Sequence, residues 1–225
     1  MITSESPSGE IVFLLDVDNT LLDTDRITEE LKHHLVMRVG EENALVYWGI
    51  FEKMRVDLGY ADYLGALQRF RTEHPHLRGL MTVSRFLINY PFANRLFPGS
   101  LDVIEHLGQW GKVVILSDGD VVFQPRKVER SGLYDAVERR AMIYVHKETE
   151  LEHLESVFPA KRYVVVDDKL RILTSIKETW GDRVSTVFVK QGHYANSLEA
   201  GQYPDADLSV NRIGDLLEFS LEHFK

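Results

Sequence analysis

The sequence contains no cysteine, and this absence excludes several kinds of chemistry. Without a thiol there is no disulfide framework, no thiolate nucleophile and no zinc–thiolate site. Long apolar runs are also missing, since runs such as Ile11–Leu15 have strand length and are too short to span a bilayer. Residues 1–10 are polar and lack an apolar stretch of signal-peptide length. We therefore expect a cytoplasmic protein with no membrane partner.

Positive charge is scarce, because 26 Lys and Arg residues face 35 Asp and Glu residues and the net charge is −9. Such an excess of negative charge disfavours a nucleic-acid partner. It does not oppose a small phosphorylated substrate, since a local site can be electropositive within an acidic protein. Hydrophobic residues make up 44% and charged residues 27%, as in ordinary soluble globular proteins.

Short apolar runs alternate with helical patterns along most of the chain. Runs without polar alternation are typical of strands that are covered on both faces. The alternation therefore predicts an α/β fold with a doubly wound parallel sheet. The predicted strands are Ile11–Leu15, Val113–Leu116, Met142–Val145, Tyr163–Val166 and Thr186–Val189, with a short one near Leu208–Val210.

The segments between these strands predict helices whose ends are marked by turn-forming residues. Ser100 is expected to cap the first of them, and Gly111 to end it. A last helix is expected from Asp215 to the C-terminus. The other predicted helices are Leu101–Trp110, Phe123–Ser131, Thr149–Val157 and Leu170–Trp180.

Residues 24–94 contain no convincing strand and show helical spacing throughout. Ile27, Leu31 and Leu35 repeat every four residues, and Gly40 can terminate that helix. Three further helical patterns follow. We expect a small α-helical cap here, inserted into an α/β core formed by residues 1–23 and 95–225. The alternative is one longer two-layer core with extra helices.

Polar side chains follow four of the predicted strands. The carboxyl ends of parallel strands meet at one edge of a sheet, where sites form. Each residue alone has an ordinary explanation as a turn, a cap or a surface lysine. Their placement after successive strands is what indicates a site. They are Asp16, Asp18 and Thr20, then Ser117 and Asp118, then Lys147, and then Asp167 and Asp168.

These residue types suit phosphoryl transfer. Carboxylates from two strands offer the hard oxygen ligands that Mg²⁺ prefers. One carboxylate can also act as a nucleophile, since aspartyl phosphates are established intermediates. A hydroxyl such as Ser117 and an ammonium such as Lys147 can stabilise charge on a transferring phosphoryl group.

The segment Leu-Leu-Asp-Val-Asp-Asn-Thr-Leu, residues 14–21, resembles the first motif of the haloacid dehalogenase superfamily. Ser117 is similar to the second motif, Lys147 to the third, and Asp167-Asp168 to the acidic fourth. The resemblance covers residues from about 11 to 190, and the helical insertion after the first motif fits the cap of that family.

The resemblance implies roles for the first motif. Asp16 would be the nucleophile, forming a phosphoaspartate, and also a magnesium ligand. Asp18 would be the general acid and base, with its backbone carbonyl on the metal. Thr20 would support the loop.

The resemblance also implies roles for the other motifs. Ser117 and Lys147 would bind the phosphoryl group, with Lys147 offsetting the charge of Asp16. Asp168 would bind the metal directly, and Asp167 would be a nearby or water-mediated contact.

Two positions depart from the pattern of the family. Asp118 follows Ser117 where the family often has Asn, and Asp120 adds a further charge. Glu148 follows Lys147 where Pro is frequent. Negative charge near a phosphate is unfavourable unless it points away or faces an amine on the substrate.

Retention of Asp18 and of the acidic pair favours a Mg²⁺-dependent phosphatase acting on a small phosphorylated metabolite. A dehalogenase of the same superfamily needs neither the second carboxylate nor the metal. A phosphomutase or phosphotransferase, or a phospho-accepting switch, would also use these residue types. The substrate would be chosen largely by the cap, where the candidate residues are Arg55, Tyr60, Tyr63, Arg69 and Arg85.

Two histidine clusters, His33-His34 and His74-Pro75-His76, come without a matching carboxylate cluster. We therefore expect both to be solvated surface rather than metal ligands.

Overall fold

The computed structural model describes residues 11–195 and 200–224, and its centre is a parallel sheet of six strands. Residues 1–10, on which the expectation about a signal peptide rests, lie outside the described residues. The strand order is β3-β2-β1-β4-β5-β6, with every neighbouring pair parallel. The strands are β1 (Ile11–Leu15), β2 (Lys112–Asp118), β3 (Ala141–Tyr144), β4 (Arg162–Asp167), β5 (Val184–Val189) and β6 (Leu208–Val210).

Both faces of this sheet are covered, which confirms the predicted doubly wound fold. In β1, Phe13 and Leu15 belong to one hydrophobic cluster, whereas Val12 and Leu14 belong to a second. Successive side chains of a strand point to opposite faces, so a strand between two apolar layers needs apolar residues at every position. The edge strand β3 ends at Tyr144, and Val145, which the prediction included, is 50% exposed.

Residues 24–94, all of them described, contain four α-helices and no strand. Asp23 accepts a hydrogen bond from Arg26 N at the start of the first helix, and Asp62 caps the third through Gly65 N. Gly40, with φ of 83°, ends the first helix as predicted. The inserted helices are α1 (Thr24–Val39), α2 (Glu41–Leu58), α3 (Tyr63–Glu73) and α4 (Leu80–Asn89).

The inserted helices share one hydrophobic cluster with one face of the sheet. Aromatic contacts join them, as where Phe51 and Tyr63 stack with ring centroids 4.6 Å apart. Tyr63 in turn meets Phe123 of the core edge-on at 5.7 Å. Continuous packing of this kind positions the insertion directly against the core. The division of the chain into a core and a cap stays a prediction.

The remaining helices cover the sheet, and Leu170–Trp180 has the predicted bounds. None of the described helices is long and apolar enough to cross a membrane. These helices are α5 (Ser100–Gly108), α6 (Phe123–Arg130), α7 (Leu133–Ala136), α8 (Leu151–Val157), α9 (Leu170–Trp180) and α10 (Gly192–Ala195).

Two predicted helix starts were wrong, because tertiary contacts override the local pattern. Ser100 does not cap α5; the buried hydroxyl donates to the carbonyl of Leu21 at 2.8 Å, and Gly99 stands at the cap position. The segment before Leu151 forms a separate 3₁₀ turn, Lys147–Thr149, whose first amide donates to Asp118 Oδ1 at 2.7 Å.

The prediction of a C-terminal α-helix was also wrong. The chain forms two short 3₁₀ segments instead, Ile213–Glu218 and Leu221–Phe224. The ring of Phe224 meets Phe13 edge-on at 5.5 Å, and the carbonyl of Phe224 accepts a hydrogen bond from Arg162. These contacts fix the end of the chain to the sheet in a path that a continuous helix could not follow.

Candidate active site

The predicted site residues meet at the carboxyl edge of the sheet, where β1 lies between β2 and β4. The strand order reverses at β1, which makes this edge the topological switch point of the fold. Leu15 pairs with Val166, and the amide of Asp16 donates to the carbonyl of Val166 at 3.0 Å. Asp16 and Asp167 therefore emerge side by side from neighbouring strands.

Lys147 is the cation at the centre of the site. Its Nζ lies 2.5 Å from Asp16 Oδ1 and 2.7 Å from Asp167 Oδ2, and it donates to the carbonyl of Leu116 at 3.2 Å. Burial alone would lower the pKa of this ammonium, but the charges of Asp16 and Asp167 outweigh burial and hold the pKa well above its ordinary value. Lys147 therefore stays charged at the centre of the site.

Asp16, Asp167 and Asp168 form an acidic trio whose ligand atoms all lie within 4.8 Å of one another. Asp16 Oδ2 and both carboxylate oxygens of Asp168 are buried and have no hydrogen-bond partner among the described residues. Asp167 instead faces Lys147 with one oxygen and accepts from Lys169 N at 2.9 Å with the other. Partnerless buried oxygens of this type fit a hard divalent cation such as Mg²⁺.

The electrostatics of the trio point the same way. Burial raises the pKa of Asp16 to about 6, against the opposing charge of Lys147. Burial, together with the charge of Asp167, also raises the pKa of Asp168 well above its ordinary value. The trio therefore holds more negative charge than its protein surroundings offset, which a bound cation would correct.

Ser117 lies beside the trio as one of the last two residues of β2, with its hydroxyl buried. Its Oγ accepts a hydrogen bond from Gln124 Nε2 at 2.9 Å. Asp167 is likewise the last residue of β4, although both had been predicted just beyond their strands. The hydroxyl itself donates to the carbonyl of Asp118 at 3.5 Å, a long bond that a better acceptor could replace.

Asp18 is oriented by a different set of groups from those around Asp16. Its Oδ1 accepts from Thr24 Oγ1 and from Lys127 Nζ, both at 2.5 Å, and its Oδ2 accepts from Gln124 Nε2 at 3.0 Å. Although burial opposes it, the charge and hydrogen bond of Lys127 hold the pKa of Asp18 below its ordinary value. The side chain of Asp18 is not part of the acidic trio.

The loop after β1 is held chiefly by Asn19. The side-chain oxygen of Asn19 accepts from the amides of Thr24 and Asp25, each at 3.1 Å. Thr20 is fully buried, but its hydroxyl has no hydrogen-bond partner in the described part of the chain. Support by the Thr20 hydroxyl therefore stays a prediction, while Asn19 visibly fixes the turn.

The two extra carboxylates after Ser117 have structural partners. Asp118 Oδ1 accepts from the amide of Lys147 at 2.7 Å and so ties the loops after β2 and β3 together. Asp120 Oδ1 accepts from the amides of Val122 and Phe123, at 2.9 and 2.7 Å, where α6 begins. Both carboxylates therefore accept backbone hydrogen bonds that stabilise the loops carrying the site.

Of the residues proposed to choose the substrate, only some lie near the core. Arg55 donates from Nη1 to the hydroxyl of Tyr194 at 3.2 Å, across the boundary between the inserted helices and the loop after β5. Tyr63 is buried, with its hydroxyl 2.8 Å from that of Thr28. Arg69 and Arg85 lie on the surface.

The histidine clusters are only partly solvated. His34 is half-buried and stacks on Phe86 with ring centroids 4.4 Å apart, which corrects the surface interpretation. His74 contacts Phe70, whereas His33 and His76 are exposed as expected.

Three charged or polar residues of the site were missed in the sequence. Gln124 and Lys127 belong to the buried side of α6 together with Phe123 and Val128, a spacing that was visible in the sequence. Lys169 directly follows the acidic pair, and its Nζ lies 4.8 Å from the ring centroid of Tyr194. Burial opposes the charge of Lys169, but the carboxylates of the trio, Asp168 foremost, outweigh burial and raise its pKa.

A solved structure from Burkholderia xenovorans LB400, described as a haloacid dehalogenase-like hydrolase, is 54% identical to this chain. The match covers 94% of this chain and 99% of that one, with a TM-score of 0.91. The chain belongs to the haloacid dehalogenase-like hydrolases. No protein-family model and no curated protein gives a significant match.

Two more distant haloacid dehalogenase-like structures show the same fold. YfnB from Bacillus subtilis, a HAD-hydrolase bound to magnesium, is 14% identical with a TM-score of 0.61, covering 94% of this chain and 100% of YfnB. An L-2-haloacid dehalogenase has the same identity, 14%, and TM-score, 0.61, covering 93% of this chain and 98% of the other. At this level of identity the likeness concerns the fold alone.

Proposed function

We propose that this hydrolase cleaves a small phosphate monoester, with Mg²⁺, through an aspartyl phosphate on Asp16. The observation that carries the proposal is the acidic trio with its partnerless oxygens, placed directly beside Asp16 and Lys147. Phosphoryl transfer needs a nucleophile, a cation for the equatorial oxygens and a divalent metal site, and all three are adjacent here.

In the first step, a carboxylate oxygen of Asp16 attacks phosphorus and the bond from phosphorus to the leaving oxygen breaks. Lys147 and the hydroxyl of Ser117 hold the phosphoryl oxygens while charge moves to the leaving group. The leaving oxygen takes a proton from the carboxylic acid of Asp18 and departs as the alcohol. That proton arrives on Asp18 from solvent or with a monoanionic substrate, because Lys127 favours the ionised form.

In the second step, ionised Asp18 removes a proton from a water molecule. The water oxygen attacks phosphorus, and the bond from phosphorus to Asp16 breaks. Inorganic phosphate is released and the Asp16 carboxylate is restored. The ion pair with Lys127 maintains Asp18 in the ionised form that this step requires.

The residues that would hold Mg²⁺ are Asp16 and Asp168, with the backbone carbonyl of Asp18. Asp167 would contribute through a nearby contact, since its two oxygens already face Lys147 and Lys169 N. When bound, the metal would supply positive charge that offsets the phosphoryl oxygens and the carboxylates around them.

A dehalogenase is the principal competing function within the family. Such a reaction attacks carbon rather than phosphorus and needs neither the metal trio nor a second carboxylate. The partnerless oxygens of Asp168 and the second carboxylate of Asp18, held by Lys127, therefore support phosphate chemistry over halide displacement. A phosphomutase or phosphotransferase would use the same groups with a second acceptor in place of water.

We further propose that residues 24–94 act as a cap over the site. The hydrogen bond from Arg55 to Tyr194 spans the inserted helices and the loop after β5, close to Lys169. A covered site suits small esters and excludes bulky phosphoproteins. Rates on small phosphate esters should therefore exceed rates on phosphorylated proteins; comparable rates would make the helices purely structural.

The test of the function is a screen of phosphorylated metabolites with Mg²⁺ or with EDTA, run beside 2-chloropropionate. We expect catalytic release of phosphate that requires Mg²⁺ and no release of chloride. Phosphate release undiminished in metal-free protein would refute the metal dependence. Chloride release without phosphate release would establish the dehalogenase, and one phosphorylation per chain without turnover would establish a switch.

A further inference from the structure

We propose that Gln124 and Lys127, on one face of α6, are positioning residues for Asp18, the acid–base group, and for Ser117, the phosphoryl-binding hydroxyl. Lys127 orients the carboxylate of Asp18, and Gln124 orients both that carboxylate and the hydroxyl of Ser117. This inference rests on the proposed phosphatase function. Neither residue belongs to the four motifs that define the site in the sequence.

Lys127 is a buried cation committed to Asp18. Its side chain is 3% exposed, and its Nζ lies 2.5 Å from Asp18 Oδ1. Thr24 Oγ1, at the start of α1, donates to the same oxygen. Asp18 lies in the loop beyond β1 and its side chain could adopt several rotamers, so a fixed cation from a helix of the core limits where its carboxylate can go.

Gln124 connects the acid–base residue with the phosphoryl-binding hydroxyl. Its Nε2 donates to Asp18 Oδ2 at 3.0 Å and to Ser117 Oγ at 2.9 Å. Because Ser117 accepts this bond and donates only a long hydrogen bond of 3.5 Å to the carbonyl of Asp118, its proton can turn to a better acceptor such as a phosphoryl oxygen. The Gly119 backbone allows the approach, since a Cβ there would overlap the Cβ and Cγ of Gln124.

The two residues should therefore affect different kinetic steps. Lys127 acts on Asp18 alone, so its loss should slow the steps that need proton transfer. Gln124 also sets the direction of the Ser117 hydroxyl, so its loss should weaken phosphoryl binding. If α6 served only to pack the fold, a change at either residue would affect proton transfer and phosphoryl binding together, or would affect neither.

The test for Lys127 compares Lys127→Met with the native enzyme on an alkyl phosphate and on nitrophenyl phosphate. Turnover of the alkyl phosphate should fall on the order of a hundredfold, in line with loss of a well-placed general acid. The burst of nitrophenolate should be slowed far less, because this leaving group needs little protonation. Glu129→Gln, an exposed change on the same helix, is the matched control and should leave both unchanged.

A double-mutant cycle with Asp18→Asn keeps the test decisive if Lys127→Met folds poorly, since the double variant has no unpaired buried carboxylate at position 18. The quantity compared is the rate at which phosphorylated Asp16 decays, because this second step needs Asp18 as the base with any substrate. If Lys127 acts through Asp18, Lys127→Met should slow this decay in the native background but change it by no more than about twofold in Asp18→Asn. If Lys127→Met slowed this step as much in Asp18→Asn as in the native enzyme, the proposal would be overturned.

The test for Gln124 uses inorganic phosphate as the probe, titrated by calorimetry in the presence of Mg²⁺. Gln124→Met should weaken phosphate binding by roughly tenfold, the effect of one misdirected hydrogen bond. Lys127→Met should change it by less than about threefold. Equal weakening by both variants would contradict the division of roles. Native enzyme that binds or hydrolyses no phosphate ester would refute the proposed function instead.

Discussion

Lys147 and Asp16 form a buried ion pair, with Nζ 2.5 Å from Oδ1 and side chains only 2% and 5% exposed. The partners lie 131 residues apart in the sequence and are brought together by β1 and the loop after β3. Asp167 lies on the other side of the same ammonium, 2.7 Å away. One lysine thus forms ion pairs with two carboxylates, one of which is the proposed nucleophile.

Lys147→Met should abolish turnover and destabilise the fold. Removing the cation takes from two buried carboxylates the ammonium that they share, and breaking a buried pair costs about 3 to 5 kcal/mol of unfolding free energy. The measurement is urea unfolding in EDTA. Lys32→Met, which breaks the exposed pair with Glu29, should cost less than about 1 kcal/mol. Similar losses of unfolding free energy in the two variants would show that the buried pair stabilises the fold no more than the exposed pair does.

The stability of the metal-free protein should depend on pH through Asp16. Its pKa is about 6 in the fold and 3.8 in the unfolded chain, so ionising it destabilises the fold as pH rises through this window. This pKa difference lowers the unfolding free energy by about 3 kcal/mol above pH 6 and does not change it below pH 3.8. Asp16→Asn cannot ionise and should escape this penalty.

The comparison is made by thermal unfolding in EDTA from about pH 4 to about pH 7. Asp16→Asn should gain stability relative to the native protein as pH rises. Excess Mg²⁺ should narrow the difference at the upper end by binding the ionised native site. A gap between the two proteins that stays constant with pH would contradict the raised pKa.

Gly192→Ala should damage the loop that carries Asp18. Gly192 has φ of 68°, and a Cβ there would overlap the Cβ and Cγ of Asn19, which orders the turn after β1. Gly181→Ala is the matched control, since Gly181 has a similar φ of 56° but no atom near its Cβ position. The control should lose stability through backbone strain alone, on the order of 1 to 3 kcal/mol, and keep its activity.

Gly192→Ala should lose more stability than this control and should also lower kcat, because Asn19 moves with the residues that follow Asp16. Phosphate release and chemical unfolding are measured on both variants. Unchanged kcat in Gly192→Ala would show that the position of Asn19 does not affect the chemistry.

The strands and the main site residues could be predicted because their signals are local. Ile11–Leu15 is apolar at every position, and Asp16 follows it directly, so the end of a buried strand and its carboxylate appear together in the sequence. Lys147 likewise comes soon after the apolar run Met142–Val145, with His146 between them.

What escaped the sequence depends on the tertiary structure. The spacing along α6 places Lys127 and Gln124 on the side with Phe123 and Val128, but only the position of α6 beside the loop after β1 reveals that they bind Asp18. Ser100 likewise looks like a helix cap until the carbonyl of Leu21 is brought to it. Partners this far apart in the sequence leave no local pattern from which to infer them.

The most direct test of the central claim is to trap the intermediate. Asp18→Asn is mixed with nitrophenyl phosphate and Mg²⁺ in water enriched in heavy oxygen, quenched rapidly in acid, and its peptides are analysed by mass spectrometry. Because the second step lacks its base, we expect a stoichiometric burst of nitrophenolate and a phosphoryl group on Asp16, with Asp16→Asn showing neither. Absence of a phosphorylated Asp16 despite a burst, or heavy oxygen incorporated into the Asp16 carboxylate, would contradict phosphoryl transfer through this residue.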